Sequence, residues 1–144
     1  MATPKSNDMR KNVSSGAVWE DLVGYSRAVR VGNNIEVSGT TAVEGGEVVG
    51  RNDAYVQTRC ILEKIFKALV SLGAGMEDVI RTRIYVTDIS QWEQIGKAHA
   101  EYFGKIKPCT SMVEVRRLIS DDLLVEIEAS AVIFEEPEQM DSDF

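Results

Sequence analysis

Histidine is almost missing from this chain of 144 residues: His99 stands alone, and the two cysteines, Cys60 and Cys109, lie far apart and outside any Cys-x-x-Cys spacing. Without a His/Cys cluster a structural zinc site has no ligand set, and without paired cysteines a disulfide scaffold is not expected. Cys109 has no histidine or identified base beside it, which argues against a nucleophilic thiol. This cysteine usage fits a reducing, cytosolic setting.

Long apolar runs are also absent. No stretch approaches the roughly 20 apolar residues that a membrane-spanning helix needs, and the first ten residues hold no apolar core of a signal segment. Positive charge is in deficit, with 16 Lys and Arg against 23 Asp and Glu for a net charge of −7. Affinity for a phosphate backbone comes from Lys and Arg displacing counterions, so a nucleic-acid partner is not expected.

What is present fits one domain, since 44% apolar residues in a chain of this length can build a single core. We expect a flexible lead-in over residues 1–16, one domain over 17–134 and a solvated acidic tail over 135–144. Inside the domain, residues 17–22 read as a short strand, and 28–31 and 35–38 flank Gly32-Asn33-Asn34, a hairpin signal. Asn52 or Asp53 can cap a helix from Ala54 to about Leu72, with Ile61, Leu62, Ile65, Ala68, Leu69 and Leu72 on one stripe and Gly73 at its left-handed end. Residues 79–86 alternate as a strand, Ile80, Thr82, Ile84 and Val86 opposite Arg81, Arg83 and Tyr85. Ser90 and Glu93 match a capping box opening a second helix that runs to about Phe103.

The final run alternates strictly. Val125, Ile127, Ala129, Ala131 and Ile133 share one face, and Leu124, Glu126, Glu128 and Ser130 the other. Two acids on one face of an apolar strand describe either a wet sheet surface or a functional site. The order strand, strand, helix, strand, helix, strand, strand predicts an α+β sheet with two helices packed on one face. The other face, carrying Arg81, Arg83, Tyr85, Glu126 and Glu128, is then free to meet solvent or copies of the chain.

Five segments in register, Tyr25-Ser26-Arg27-Ala28-Val29, Val37-Ser38-Gly39, Val86-Thr87-Asp88, Glu101-Tyr102-Phe103-Gly104 and Val125-Glu126-Ile127-Glu128-Ala129, resemble the Rid family, also called YjgF or L-PSP. The resemblance runs from about Gly24 to Ile133. It implies a chorismate-mutase-like mixed sheet, a homotrimer with sheets facing inward, and three small-molecule clefts between neighbouring subunits. It also implies hydrolysis of reactive imines and enamines to a keto compound and ammonia, with no metal or organic cofactor.

Carried over by position, the resemblance places the cleft tyrosine at Tyr25, backbone and hydroxyl contacts at Ser38 and Gly39, the cleft aromatic at Trp92 and the water-associated glutamate at Glu126. Where deaminase members hold an arginine that grips the substrate carboxylate, this chain has Thr110, and a nearby cysteine position is Met112. A hydroxyl cannot copy the two parallel bonds of a guanidinium fork. Thr110 or Ser111 could still orient a water, and Arg27 or Arg83 could replace the lost cation or instead pair with Glu114, Glu126 or Glu128. The expected function is therefore an imine or enamine deaminase, weak on amino-acid-derived imines. A non-catalytic metabolite-binding trimer is the alternative, and an endoribonuclease, an activity attached by name to part of the family, is a third reading that the acidic balance disfavours.

Overall fold

The long apolar stripe of residues 54–71 and the alternating strand pattern of residues 125–132 meet as two layers, helix on sheet, in a computed structural model that describes residues 9–134. The elements are β1 (Arg10–Val13), α1 (Val18–Val23), β2 (Ala28–Val31), β3 (Asn34–Thr41), β4 (Val43–Glu44), β5 (Glu47–Val48), α2 (Ala54–Ser71), β6 (Val79–Val86), α3 (Trp92–Phe103), β7 (Cys109–Glu114) and β8 (Val125–Val132). Six strands form one sheet in the order β1-β2-β3-β8-β6-β7, antiparallel except for the β6–β7 pair that α3 connects. The mixed α+β class is as expected.

Core and register follow from the pattern. Ile61, Leu62, Ile65 and Leu69 of α2 and Ile95 and Phe103 of α3 are buried against Ile35, Val37, Ile84, Val125, Ile127 and Ala129 of the sheet. Asp53 is the α2 cap, its carboxylate accepting from Val56 N at 3.0 Å, and Gly73 beyond the helix takes φ 83°. The buried Gln57 amide donates to Gly50 O and Asp122 O and accepts from Leu124 N, tying the loop before β8 to α2. The bare face carries the expected side chains: Tyr85 donates to Glu128 at 2.7 Å and Arg83 lies 3.7 Å from the same carboxylate.

Five expectations need correction. Residues 17–22, expected as a strand, instead fall on the helix Val18–Val23, because Gly24 at φ 88° closes a turn by donating to Glu20 O while the Glu20 carboxylate accepts from Ser15 N. Among the described residues there are thus three α-helices rather than the expected two. The lead-in is not free up to residue 16, since Arg10–Val13 pairs in register with Val31–Ala28. Ile80 is exposed and Val79 buried, as a register shift between Val79 and Arg81 flips the alternation. The turn into α3 is capped by Asp88, which accepts from Ser90 N and Ser90 Oγ, so the serine is a donor to Asp88 rather than a box partner of Glu93. Beside these corrections, Gly45-Gly46 closes the β4–β5 hairpin with both residues at positive φ. The expected acidic tail and the first eight residues of the lead-in lie outside the described residues.

Candidate functional site

A cavity of about 630 Å³ opens where β3 and β8 meet α1 and the β4–β5 hairpin. Its polar wall starts from a local irregularity. Between Val37 and Thr40 the β3–β8 register shifts, so Ser38 and Gly39 have no direct partner on β8. Ser38, an expected site residue, does not line the cavity; its hydroxyl donates to Ser26 O at 2.7 Å and its N–H to Arg27 O at 3.0 Å. Gly39 faces Glu126, and a Cβ there would come within 2.8 Å of Glu126 Oε2. Glycine at 39 therefore makes room for the carboxylate, which is a close-approach requirement.

Glu126 sits on β8 between Thr41 of β3 and Tyr85 of β6. It is half-buried, and burial pushes its carboxyl above the ordinary range; the charge of Glu128 adds to this and Arg27 opposes it. Arg27 is only 8% exposed. Its Nη1 donates to Gly39 O and to Thr40 Oγ1, both at 2.9 Å, and its guanidinium carbon lies 5.9 Å from the centre of the Tyr25 ring.

Four of the expected site residues, Tyr25, Arg27, Gly39 and Glu126, thus line one cavity. Sequence reasoning missed Lys64 and Trp19, which line it too. Lys64 Nζ donates to Thr41 O at 2.8 Å and Val43 O at 2.9 Å, and burial, then the charge of Arg27, holds its pKa down. The available signal was a lysine at position 64, three residues after Ile61 and four before Ala68 on the apolar stripe of α2.

The other expected residues lie elsewhere in the chain. Thr110, Ser111 and Met112 are on β7, the edge strand two places from β8. The Thr110 and Thr82 hydroxyls share a hydrogen bond of 2.8 Å, and Thr82 in turn shares one of 2.9 Å with His99 Nε2. Met112 packs against the core, Ser111 Oγ accepts from Arg81 Nη2 at 3.3 Å, and Trp92 is exposed at the start of α3. Arg83, with its Glu128 partner, is on the bare face, so the two arginines that the sequence left as alternatives are separated and only Arg27 stands in the large cavity.

The remaining titratable candidates are packed or isolated. His99 is half-buried, its pKa lowered by burial, with its ring 4.7 Å from that of Phe103. Burial pushes the Cys60 thiol up, and its sulfur donates to Glu44 at 3.6 Å; Cys109 is exposed on β7. Among the described residues no three His, Cys, Asp or Glu side chains gather to hold a metal ion.

Comparison with known proteins matches this architecture. The family model described as "Endoribonuclease L-PSP" matches residues 18–133. A crystal structure of a YjgF/YER057c/UK114 family member from Mycobacterium tuberculosis is 53% identical and superposes with a TM-score of 0.79, covering 86% of this chain and 99% of that one. The 3-aminoacrylate deaminase RutC of Acinetobacter baylyi is 34% identical over 111 residues, 76% of this chain and 87% of the relative. TdcF of E. coli, solved with bound serine, is 28% identical with a TM-score of 0.75, over 86% of this chain and all of that one (100%).

Proposed function

We propose, from the premise that the chain belongs to the Rid (YjgF/L-PSP) family, that the cavity around Glu126 hydrolyses a reactive imine or enamine to the carbonyl compound and ammonia. One observation carries this reading: a half-buried carboxylate with a raised pKa faces a cavity across a glycine that leaves it room. A base poised nearer neutrality can both take and return a proton, which imine hydrolysis requires. RutC is named for deaminating 3-aminoacrylate, an enamine, which supports the same reaction class here.

In the proposed cycle Glu126 takes a proton from water as the water oxygen bonds to the imine carbon. The resulting carbinolamine receives that proton on nitrogen; the hydroxyl proton then passes through Glu126 to the same nitrogen as the C–N bond breaks, so that ammonia leaves and the carbonyl forms. An enamine substrate first takes a proton on its β-carbon and gives one up from its nitrogen to become the imine. Tyr25 lines the cavity, and Arg27 offsets negative charge beside Glu126. No step calls on a metal or an organic cofactor.

Three copies with their sheets facing inward would cover the bare face of Arg81, Arg83, Tyr85 and Glu128. They would also bring β7 and Trp92 of one copy toward the cavity of the next, giving Thr110, Ser111 and Met112 a place in the cleft. This trimer is part of the proposal, as is a cytoplasmic location.

A second reading, a metabolite-binding trimer without turnover, draws support from Thr110, whose hydroxyl is engaged by Thr82 and cannot grip a carboxylate as an arginine would. The test is ammonia and pyruvate release above the spontaneous rate from 2-aminoacrylate generated in situ. Wild type is expected to turn over and Glu126→Ala to lose about 10²–10⁴-fold. Silence in wild type with activity gained in Thr110→Arg would favour the binding reading, and RNA degradation that survives repurification would favour a nuclease.

A further inference from the structure

Lys64 carries an amine that the proposed cycle does not use. The other lysines among the described residues, Lys11, Lys67, Lys97, Lys105 and Lys107, are exposed, whereas Lys64 is half-buried and lines the cavity. Its Nζ has two acceptors among the described residues, Thr41 O at 2.8 Å and Val43 O at 2.9 Å. No described Asp or Glu oxygen lies within ion-pair distance of it.

Two acceptors match one protonation state better than the other. An ammonium has three N–H donors, whereas the neutral amine has two and a lone pair. With both carbonyls engaged, an ammonium would hold a third N–H without a protein partner, and an amine would hold a lone pair free to attack. The surroundings favour the amine. Burial and the Arg27 charge outweigh Cys60 and Glu44, so that the lysine pKa is lowered. Desolvation and a neighbouring cation are two means by which a lysine becomes a nucleophile near neutral pH.

We infer that Lys64 is a nucleophilic amine that captures carbonyl compounds in the cavity as a Schiff base. Its lone pair attacks the carbonyl carbon and a C–N bond forms. The two protons of the nitrogen leave with the carbonyl oxygen as water, and a C=N bond remains. When protonated, that nitrogen keeps one N–H for Thr41 O or Val43 O. The captured compound fills the cavity and closes it to other ligands until water reverses the condensation. The inference concerns the amine alone and does not need the hydrolase reading.

The test is reductive trapping. Wild-type protein is incubated at neutral pH with pyruvate and cyanoborohydride, which delivers hydride to the carbon of a C=N bond and makes the adduct permanent; the sites are read by intact mass and peptide mapping. Ordinary lysines are almost wholly protonated at this pH and condense slowly with a ketone, so the exposed lysines serve as internal controls. Lys64 is expected to label at least about tenfold faster than any other lysine, giving one adduct per chain before a second appears. Lys64→Arg keeps donors for both carbonyls and has no nucleophilic amine, and it should lose the fast adduct. Should that variant fail to fold, peptide mapping of wild type decides alone.

Labelling that spares Lys64 or spreads evenly over the lysines overturns the inference, as does a fast adduct that persists in Lys64→Arg. The readout is mass rather than activity, so the two readings fail separately. Trapping at Lys64 in protein that releases no ammonia sinks the hydrolase reading and leaves the nucleophile standing, and turnover without trapping does the reverse.

Discussion

The two sides of the β8–β6 pair treat their polar groups in opposite ways. Toward β3, Arg27, Lys64 and Glu126 converge on a cavity, and the Arg27 guanidinium has no ion-pair partner and an unpaired, buried Nε among the described residues. Toward β7, Thr110, Thr82 and His99 spend their capacity on one another in a continuous chain of hydrogen bonds. A satisfied network adds rigidity, whereas an unsatisfied buried group costs free energy that a ligand can recover. Within one chain, the β3 side leaves a buried cation unpaired beside a cavity, and the β7 side closes its polar groups on one another.

Gly39→Ala breaks this contrast most sharply. The added Cβ would stand 2.8 Å from Glu126 Oε2, and since the clash is with the end of a side chain, the carboxylate moves and the backbone stays. Displacement of a proton-transferring group by about an ångström can cost on the order of a hundredfold, so kcat should fall about ten- to hundredfold with a much smaller change in melting temperature. A variant with unchanged kcat would remove Glu126 from the proton-transfer role.

Thr82→Val tests the other side. Thr82 is fully buried, and valine in its place leaves His99 Nε2 and Thr110 Oγ1 without their shared partner. The expected cost is about 1–3 kcal/mol in denaturant unfolding, with turnover near wild type. A collapse of turnover at unchanged stability would mean that the hydroxyl chain takes part in the chemistry, and the contrast between the two sides would be lost.

Legibility in the sequence follows the same division. The long periodic segments, α2, β6 and β8, could be read because burial of one face repeats every 3.6 or 2 residues, and that pattern survives in the strings of side chains alone. Short elements set by single backbone angles could not. The turn that makes residues 18–23 helical depends on Gly24 at positive φ and on Ser15 meeting Glu20, and the β4–β5 hairpin on two glycines in succession. Tyr25, Arg27, Gly39 and Glu126 were identifiable because they lie in segments that resemble the family. Lys64 was not, since its contact with the hairpin carbonyls joins α2 to a loop whose path no local pattern encodes.

The smallest effect concerns pH, and it separates Glu126 from Glu20, two carboxylates near Arg27. For Glu126 burial and the Glu128 charge outweigh Arg27, and the folded-state pKa is raised. The folded state then holds its proton more tightly than the unfolded chain, so wild type loses stability as pH rises from the ordinary carboxylate value through the folded one. Glu126→Gln, which cannot ionise, should therefore melt slightly above wild type at pH 7, with the difference closing below the ordinary carboxylate value, where both are neutral. Glu20 has the opposite sign: burial pushes it up, but hydrogen bonds from Ser15 and Ser14 and the Arg27 charge prevail, and its pKa is lowered. Its contribution is present above the ordinary carboxylate value and fades as pH falls through the folded one, so Glu20→Gln should melt below wild type at pH 7 and approach it in acid. Melting curves of the two variants from pH 3 to 8 should thus diverge from wild type in opposite directions. Parallel curves would mean that Glu126 is an ordinary surface carboxylate, which would take away the physical basis for assigning it the proton transfer.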